Sequence, residues 1–319
     1  MNSLIDRIAE NLNLDRQYVA SITRRSECYY KDYTIPKMNG TRRKIAQASP
    51  ELKSLQYWVR ENILMRLPVS NSAFAYKRGD SIKRHATYHK DAHFVFHTDI
   101  KDFFPSICTN TLTVILESNN SVIKNAGYWY EDTCEIIAHI CFRNNHLCIG
   151  TVSSPAISNI VMYDFDEYFR SYCHDQGYLY SRYADDIYIS SHTYIPRTIK
   201  NMLSDQLLKK GFLINNEKTW FKSKKSRRRI TGLVLTDNGR VSIGSNMRDT
   251  IKKMIYNRIT NGTGNPEVIL GYLAFLKDIE PETYNRYLIK YATYCGGDVI
   301  AAIKSGPLNK PVTYVLPDI

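Results

Sequence analysis

Hydrophobic positions along this chain change period several times, and each change marks an element. Leu4, Ile5, Ile8, Leu12 and Leu14 fall roughly on one face, which predicts a helix within residues 1–26. From Tyr29 to Ile35 the pattern becomes extended. A second extended run closes at Ile45, with Asn39-Gly40 as the turn between them. Leu52, Leu55, Trp58, Val59, Ile63 and Leu67 then return to helical spacing over 50–67, and a shorter helix is expected from Ser81 to about Lys90. His93-Phe-Val-Phe-His-Thr-Asp99 alternates and reads as a strand that ends on an acid. Helices are expected over 110–118 and 131–142, and a long one over 154–172 opened by Pro155. Residues 179–190 alternate large apolar and small polar residues on either side of Ala184-Asp185-Asp186, which predicts two strands and a tight turn. A helix over 195–210 stops at Gly211, and two or three short strands follow to Val241. From Ser245 the pattern is helical throughout. Met247, Ile251, Met254, Ile255 and Ile259 mark one apolar face, and Tyr284, Tyr287, Tyr291 and Tyr294 another. The expected domain boundary therefore lies near residue 243.

Composition narrows the classes. A chain of 319 residues is long enough for two or three subdomains. Its net charge of +12 points to a nucleic-acid partner. Tyrosine, at 24 residues against 11 Phe and 3 Trp, suits packing with a polar end, and most of these rings are expected in or near the core. Seven cysteines without a Cys-x-x-Cys pair read as reduced thiols of a cytoplasmic protein, with Cys134, Cys141 and Cys148 as helix packing. The N-terminus has no signal-peptide pattern, and no apolar run is long enough for a membrane span. His85, His89, His93 and His97 recur every four residues. Residues 93–97 alternate like a strand, however, and no acid or Cys cluster completes a tetrahedral set, so zinc is not expected.

Two acids held together at a turn repel unless a cation lies between them. Asp99 ends one strand, and Asp185 and Asp186 sit between two others. If those strands are neighbours, three carboxylates meet at one end of a sheet. Such hard oxygen ligands suit Mg²⁺, and a pair of divalent ions serves phosphoryl transfer to a nucleotide chain. Lys222-Ser-Lys-Lys-Ser-Arg-Arg-Arg229 holds six basic residues in eight and reads as a phosphate-backbone contact through Lys224, Lys225, Arg227, Arg228 and Arg229. Arg248, Lys252, Lys253 and Arg258 lie off the apolar face of the first late helix, where they suit the backbone of a duplex.

Phe94-Val-Phe-His-Thr-Asp-Ile-Lys-Asp-Phe-Phe-Pro-Ser106 and Tyr183-Ala-Asp-Asp186, in that order and spacing, resemble the two catalytic-acid motifs of reverse transcriptases. The resemblance covers about residues 25 to 310 and is specific to the bacterial retron enzymes. Ile230-Thr231-Gly232 resembles their Val-Thr-Gly motif. His85-Ala86-Thr87-Tyr88-His89 resembles their Asn-Ala-x-x-His motif, with His85 for Asn. Gly271-Tyr-Leu-Ala-Phe275 and Gly306-Pro-Leu-Asn-Lys310 resemble the retron thumb.

The resemblance implies an α+β right-hand polymerase. An N-terminal helical segment spans 1–24, fingers 25–90, an interrupted palm 91–243, and a helical thumb with an RNA-binding tail 244–319. It implies that Asp99, Asp185 and Asp186, assisted by the Ile100 carbonyl, hold two Mg²⁺ ions. Asp102 is left out of that set. Arg43 falls at the triphosphate-binding position and Phe104 at the steric gate against a ribose 2′-OH. Gly150, Ser154 and Pro155 match the Gln-Gly-x-x-x-Ser-Pro loop, although Ile149 replaces the Gln and cannot make its hydrogen bond. Lys218 matches the general acid for pyrophosphate. His89, Thr231 and Gly232 are expected near the RNA.

The implied partners are a cognate structured non-coding RNA as template and primer, deoxynucleotides, and a separate effector protein. The implied product is branched multicopy single-stranded DNA, primed from a guanosine 2′-OH, in antiphage defence. A reverse transcriptase of another lineage with a 3′-OH primer, or a scaffold that holds RNA and an effector without polymerising, would share some of these features. The intact acids argue against the scaffold.

Overall fold

A computed structural model describes residues 3–36 and 40–306. The chain divides into two compact units. One holds the residues up to Ser81 together with Ala92–Lys222, and the other holds Ile82–Asp91 together with the chain from Ser223 onward.

The first unit opens with two helices where the pattern predicted one, α1 (Leu4–Leu12) and α2 (Arg16–Arg24). Asn13 adopts φ 51° and ends α1, and Asp15 caps α2 by accepting from Tyr18 N. β1 (Tyr30–Pro36) and β2 (Arg42–Ala48) pair antiparallel with Ile35 opposite Arg43. Asn39, in the expected turn, lies outside the described residues. α3 (Pro50–Asn62) starts at a Ser49 cap with Pro50 in its first turn, and buries Leu52, Leu55, Trp58 and Val59. It ends sooner than expected, passing into a short 3₁₀ turn at Leu64–Arg66.

The short helix α4 (Ile82–Tyr88) belongs to the second unit. The first resumes with β3 (Phe94–Lys101), then α5 (Thr109–Ser118), α6 (Asn120–Asn125) and α7 (Thr133–Cys141). Cys148 lies beyond α7, so the expected three-cysteine helix stripe is broken. Residues 154–172, expected as one helix, form α8 (Ser154–Val161) and α9 (Tyr163–Asp175), interrupted at Met162. β4 (Leu179–Tyr183), β5 (Asp186–Ser191), α10 (Thr198–Lys209) and β6 (Leu213–Ser223) complete the unit.

Its central sheet has the order β4-β5-β3-β6. Phe96, Ile187 and Ile189 lie buried in it and join Phe165 and Phe169 of α9 in one apolar core. That burial is the main source of stability for such a layer and fixes the register, because a one-residue slip would turn every buried strand residue to the opposite face.

In the second unit a three-stranded sheet, β7 (Arg228–Ile230), β8 (Leu233–Leu235) and β9 (Val241–Ser242), packs with α4. Four helices follow, α11 (Ser245–Asn261), α12 (Pro266–Ile279), α13 (Pro281–Cys295) and α14 (Val299–Ser305). Ile251, Ile255, Leu273, Leu276, Tyr287 and Tyr291 are buried among them, so two of the four late tyrosines are core residues. The helical run begins where its periodicity said. The compact unit that holds it begins earlier, at Ser223, and includes a segment from far upstream. Residues 307–310 of the second thumb-like segment lie outside the described residues. Among the described residues no helix is long and apolar enough to cross a membrane.

Candidate active site

Alternation along β3 and the β4–β5 hairpin decides where the acids lie. Ala184 adopts φ 55° and turns the chain between β4 and β5. Asp186 opens β5 directly opposite Asp99 of β3. The backbone N–H of Ile100 donates to the Asp185 carbonyl at 2.8 Å, which ties the turn to β3. Three acids from two distant segments thus share one end of the sheet. Burial, then the charges of Asp186 and Asp99, raise the Asp185 carboxyl above its ordinary range.

β6 brings one cationic partner and one amide. Lys218 Nζ donates to Asp99 Oδ1 at 2.5 Å, and Asn215 Nδ2 donates to Asp99 Oδ2 at 3.3 Å. Partial burial works to lower the Lys218 ammonium, but the bonded Asp99, with Asp185 and Asp186 behind it, raises it overall. His97, one residue of the four-spaced series, lies 2.7 Å through Nε2 from Asp186 Oδ1 and 3.0 Å through Nδ1 from the Lys218 carbonyl.

The Asp99 and Asp186 carboxylates are bonded to these protein groups. Accordingly, no three or more His, Cys, Asp or Glu side chains converge on one metal position among the described residues. The donor set remains hard oxygen, which suits a divalent cation, and the Lys218 ammonium against Asp99 marks a place that favours positive charge.

The turn beneath the acids rests on a buried ion pair. Arg182 and Asp166 have no exposed side-chain surface and meet at 2.7 Å. Arg182 also donates to the Ala184 carbonyl at 3.0 Å and to Asn159 Oδ1 at 3.1 Å, and Tyr180 donates to Asp166 at 2.7 Å. Periodicity is silent about this network, although an Arg inside an otherwise buried strand is itself a signal for a buried acid.

Beside the acids, Phe104 is half-buried, and its ring centroid lies 6.4 Å from that of Tyr76. Tyr76 adopts φ 66° and is half-exposed. Its hydroxyl is pushed up to about 12 by burial and then by Asp185 and Tyr183, with Arg182 and Arg43 acting in the other direction. Tyr76 therefore joins Phe104, Arg43 and Asp185 in one neighbourhood. No motif marks it, because a positive φ is not legible in an apolar run.

Arg43 is exposed on β2. The Ile149 carbonyl accepts from Ala46 N at 2.9 Å, so the residue that replaces the family Gln contacts β2 through its backbone. At Gly150, φ is 108° and a Cβ would come within 2.7 Å of Ile45 Cγ2, so a side chain there is both strained and crowded. Asp102 is exposed at φ 48°.

The second unit unites two segments read separately in the sequence. Thr231 and Gly232, both at positive φ, form the two-residue turn between β7 and β8. The Thr231 hydroxyl lies 3.4 Å from His85 Nδ1. His85 and His89 are fully buried, 5.4 Å apart between ring centroids. The expectation that His89 touches nucleic acid is corrected on that ground. Burial depresses its imidazole to about 3, and the neutral ring packs inside the unit.

Arg228 is a second correction. It is buried, and it donates to Asp237 Oδ1 at 2.7 Å rather than facing solvent. Arg258 is a third, since it donates to the carbonyls of Gly262 and Ile303. Lys224, Lys225, Arg227, Arg229 and Gly232 are exposed. Arg248 is paired with Glu280 at 3.4 Å and Lys252 with Asp249 at 2.9 Å.

The family model described as reverse transcriptase (RNA-dependent DNA polymerase) covers residues 35–235. The class is therefore an RNA-directed DNA polymerase, and reverse transcriptases as a class use divalent metal ions. The retron Ec86 reverse transcriptase of Escherichia coli is 30% identical over 290 residues, 89% of this chain and 85% of that one. The retron Ec83 enzyme of the same organism is 29% identical over 299 residues, 88% and 91% of the two chains. The chain belongs to the retron reverse transcriptases. Apo telomerase from Candida tropicalis aligns with a TM-score of 0.48 at 13% identity, over 88% of this chain and 58% of that one.

Proposed function

We propose that this enzyme copies a cognate structured RNA into branched single-stranded DNA. The observation that carries the catalytic part is the register Asp99 opposite Asp186, with the Asp185 carbonyl tied to Ile100 N. In this reading Asp99, Asp185, Asp186 and the Ile100 carbonyl hold Mg²⁺. Bound there, such ions would activate the priming hydroxyl and neutralise charge on the triphosphate. In this reading the Lys218 ammonium, which donates to Asp99 Oδ1, is the group that acts on the leaving group. The primer hydroxyl gives its proton to water, its oxygen bonds to the α-phosphorus, the bond from that phosphorus to the α–β bridging oxygen breaks, and Lys218 supplies a proton to pyrophosphate. Arg43 pairs with the triphosphate through its guanidinium. Phe104, backed by Tyr76, excludes the ribose 2′-OH and selects deoxynucleotides.

Fingers, palm and thumb follow the expected order in this reading, with the exposed basic residues 224, 225, 227 and 229 and the Thr231-Gly232 turn on the RNA. The reading of the chain as a retron enzyme carries with it a guanosine 2′-OH primer, a partner effector protein and a role in antiphage defence within the cytoplasm.

The test is a gel of nucleic acid from cells carrying the native locus, treated with ribonuclease and then with debranching enzyme. A discrete short single-stranded DNA is expected, shifted by debranching and lost in the Asp185→Asn/Asp186→Asn double variant. Primer extension on RNA without any such DNA would leave a polymerase with a 3′-OH primer. Loss of both activities in the purified protein would sink the polymerase reading and leave the scaffold.

A further inference from the structure

We propose that His97 is a positioning residue that sets the orientation of Asp186. The proposal rests on the reading of Asp99, Asp185 and Asp186 as holders of a divalent ion. His97 is almost fully buried, at 6% exposure. Its ring stacks on Trp220 with centroids 4.9 Å apart and planes 24° apart, and a second contact, with Tyr188, is 4.6 Å between centroids. A ring kept only to fill the core would need no more than those contacts. Here both nitrogens lie at hydrogen-bond distance from specific acceptors, the Asp186 carboxylate and the Lys218 carbonyl, and donation to both at once takes the imidazolium form. The Lys218 carbonyl is part of the β6 backbone, so the ring transmits the position of β6 to Asp186.

Asp186 needs such a support. Its side chain is one-third exposed and sits at the first position of β5, where solvent would otherwise leave it several rotamers. With Oδ1 held by His97, the other oxygen remains for a cation. Carboxylates that bind metal are commonly fixed by a hydrogen bond of this kind, and losing it typically costs 10–100-fold in affinity or activity. One residue of β6 thus addresses two acids. The Lys218 side chain meets Asp99 directly, and its carbonyl reaches Asp186 through His97.

Terbium(III) luminescence titration of the full chain tests the idea, with thermal melting as the control for folding. His97→Phe keeps a ring against Trp220 and loses both hydrogen bonds. It is expected to weaken terbium binding about 10-fold while the melting temperature holds. In an Asp186→Asn background the same change is expected to do nothing further. In primer extension, half-saturation by Mg²⁺ should rise while KM for the primer–template holds. Should His97→Phe melt markedly lower, the coupling to Asp186→Asn is read instead from His97→Gln, which retains one donor and is expected to weaken binding less. Equal weakening with and without Asp186, or none at all, overturns the proposal while leaving the metal reading intact. If the unaltered chain binds no terbium, the metal reading itself fails and the positioning role falls with it.

Discussion

Single side chains at this site carry charge that the fold alone does not favour. Burial, then Asp186 and Asp99, hold the Asp185 carboxyl above the ordinary range. A carboxyl raised in the native state keeps its proton after the unfolded chain has lost it, near pH 4. Stability is therefore fullest below that point and falls as pH rises through the raised value. Asp185→Asn mimics the protonated form. With divalent ions chelated, it is expected to melt above the unaltered protein at pH 7, with the difference closing as pH drops below about 4. A difference of the opposite sign, or one indifferent to pH, would count against this account. The acids were legible because adjacent carboxylates at a turn are costly and rarely incidental. His97 was visible only as part of a histidine series, and its partner on another strand depends on tertiary register. Tyr76 was not visible, since its role comes from a backbone conformation.

At the scale of elements, the β4–β5 hairpin depends on α9. Arg182 reaches the Ala184 carbonyl from a position bonded to Asp166 of α9, and neither charge meets water. Removing one member of such a pair strands the other. Asp166→Ala is expected to cost about 3–5 kcal/mol, read from the midpoint of urea unfolding. Replacing Arg182 and Asp166 together by Met and Leu should cost less than Asp166→Ala alone. A double replacement that costs the sum of the singles would show that the two side chains act independently. The existence of most helices and strands was readable from hydrophobic period. Their ends were not, because they turn on local features such as Asn13 at φ 51° and the interruption at Met162. The Thr231-Gly232 turn was readable as a motif. Its packing on α4 was not, since sequence pattern does not report contacts between distant segments.

Across the whole molecule, a net charge of +12 makes binding of nucleic acid sensitive to salt. Lys224→Ala, Lys225→Ala, Arg227→Ala and Arg229→Ala should each reduce the slope of log affinity for the cognate RNA against log salt by about 1. Arg228→Ala should leave that slope alone and lower stability instead, because its guanidinium is spent inside its hairpin on Asp237 and the Leu235 carbonyl. An unchanged slope in the first four variants would remove this loop from the RNA interface. Basic runs can be read from sequence as a class, but which member faces inward is decided by strand alternation. The grouping of α4 with the later sheet bears on how the enzyme is made. His85 leaves the ribosome 146 residues before Thr231. At ordinary elongation rates α4 waits roughly 7–30 s for the strands that bury it. During that interval His85 and His89, destined for a dry interior, remain wet, and α4 stands without the strands that cover it.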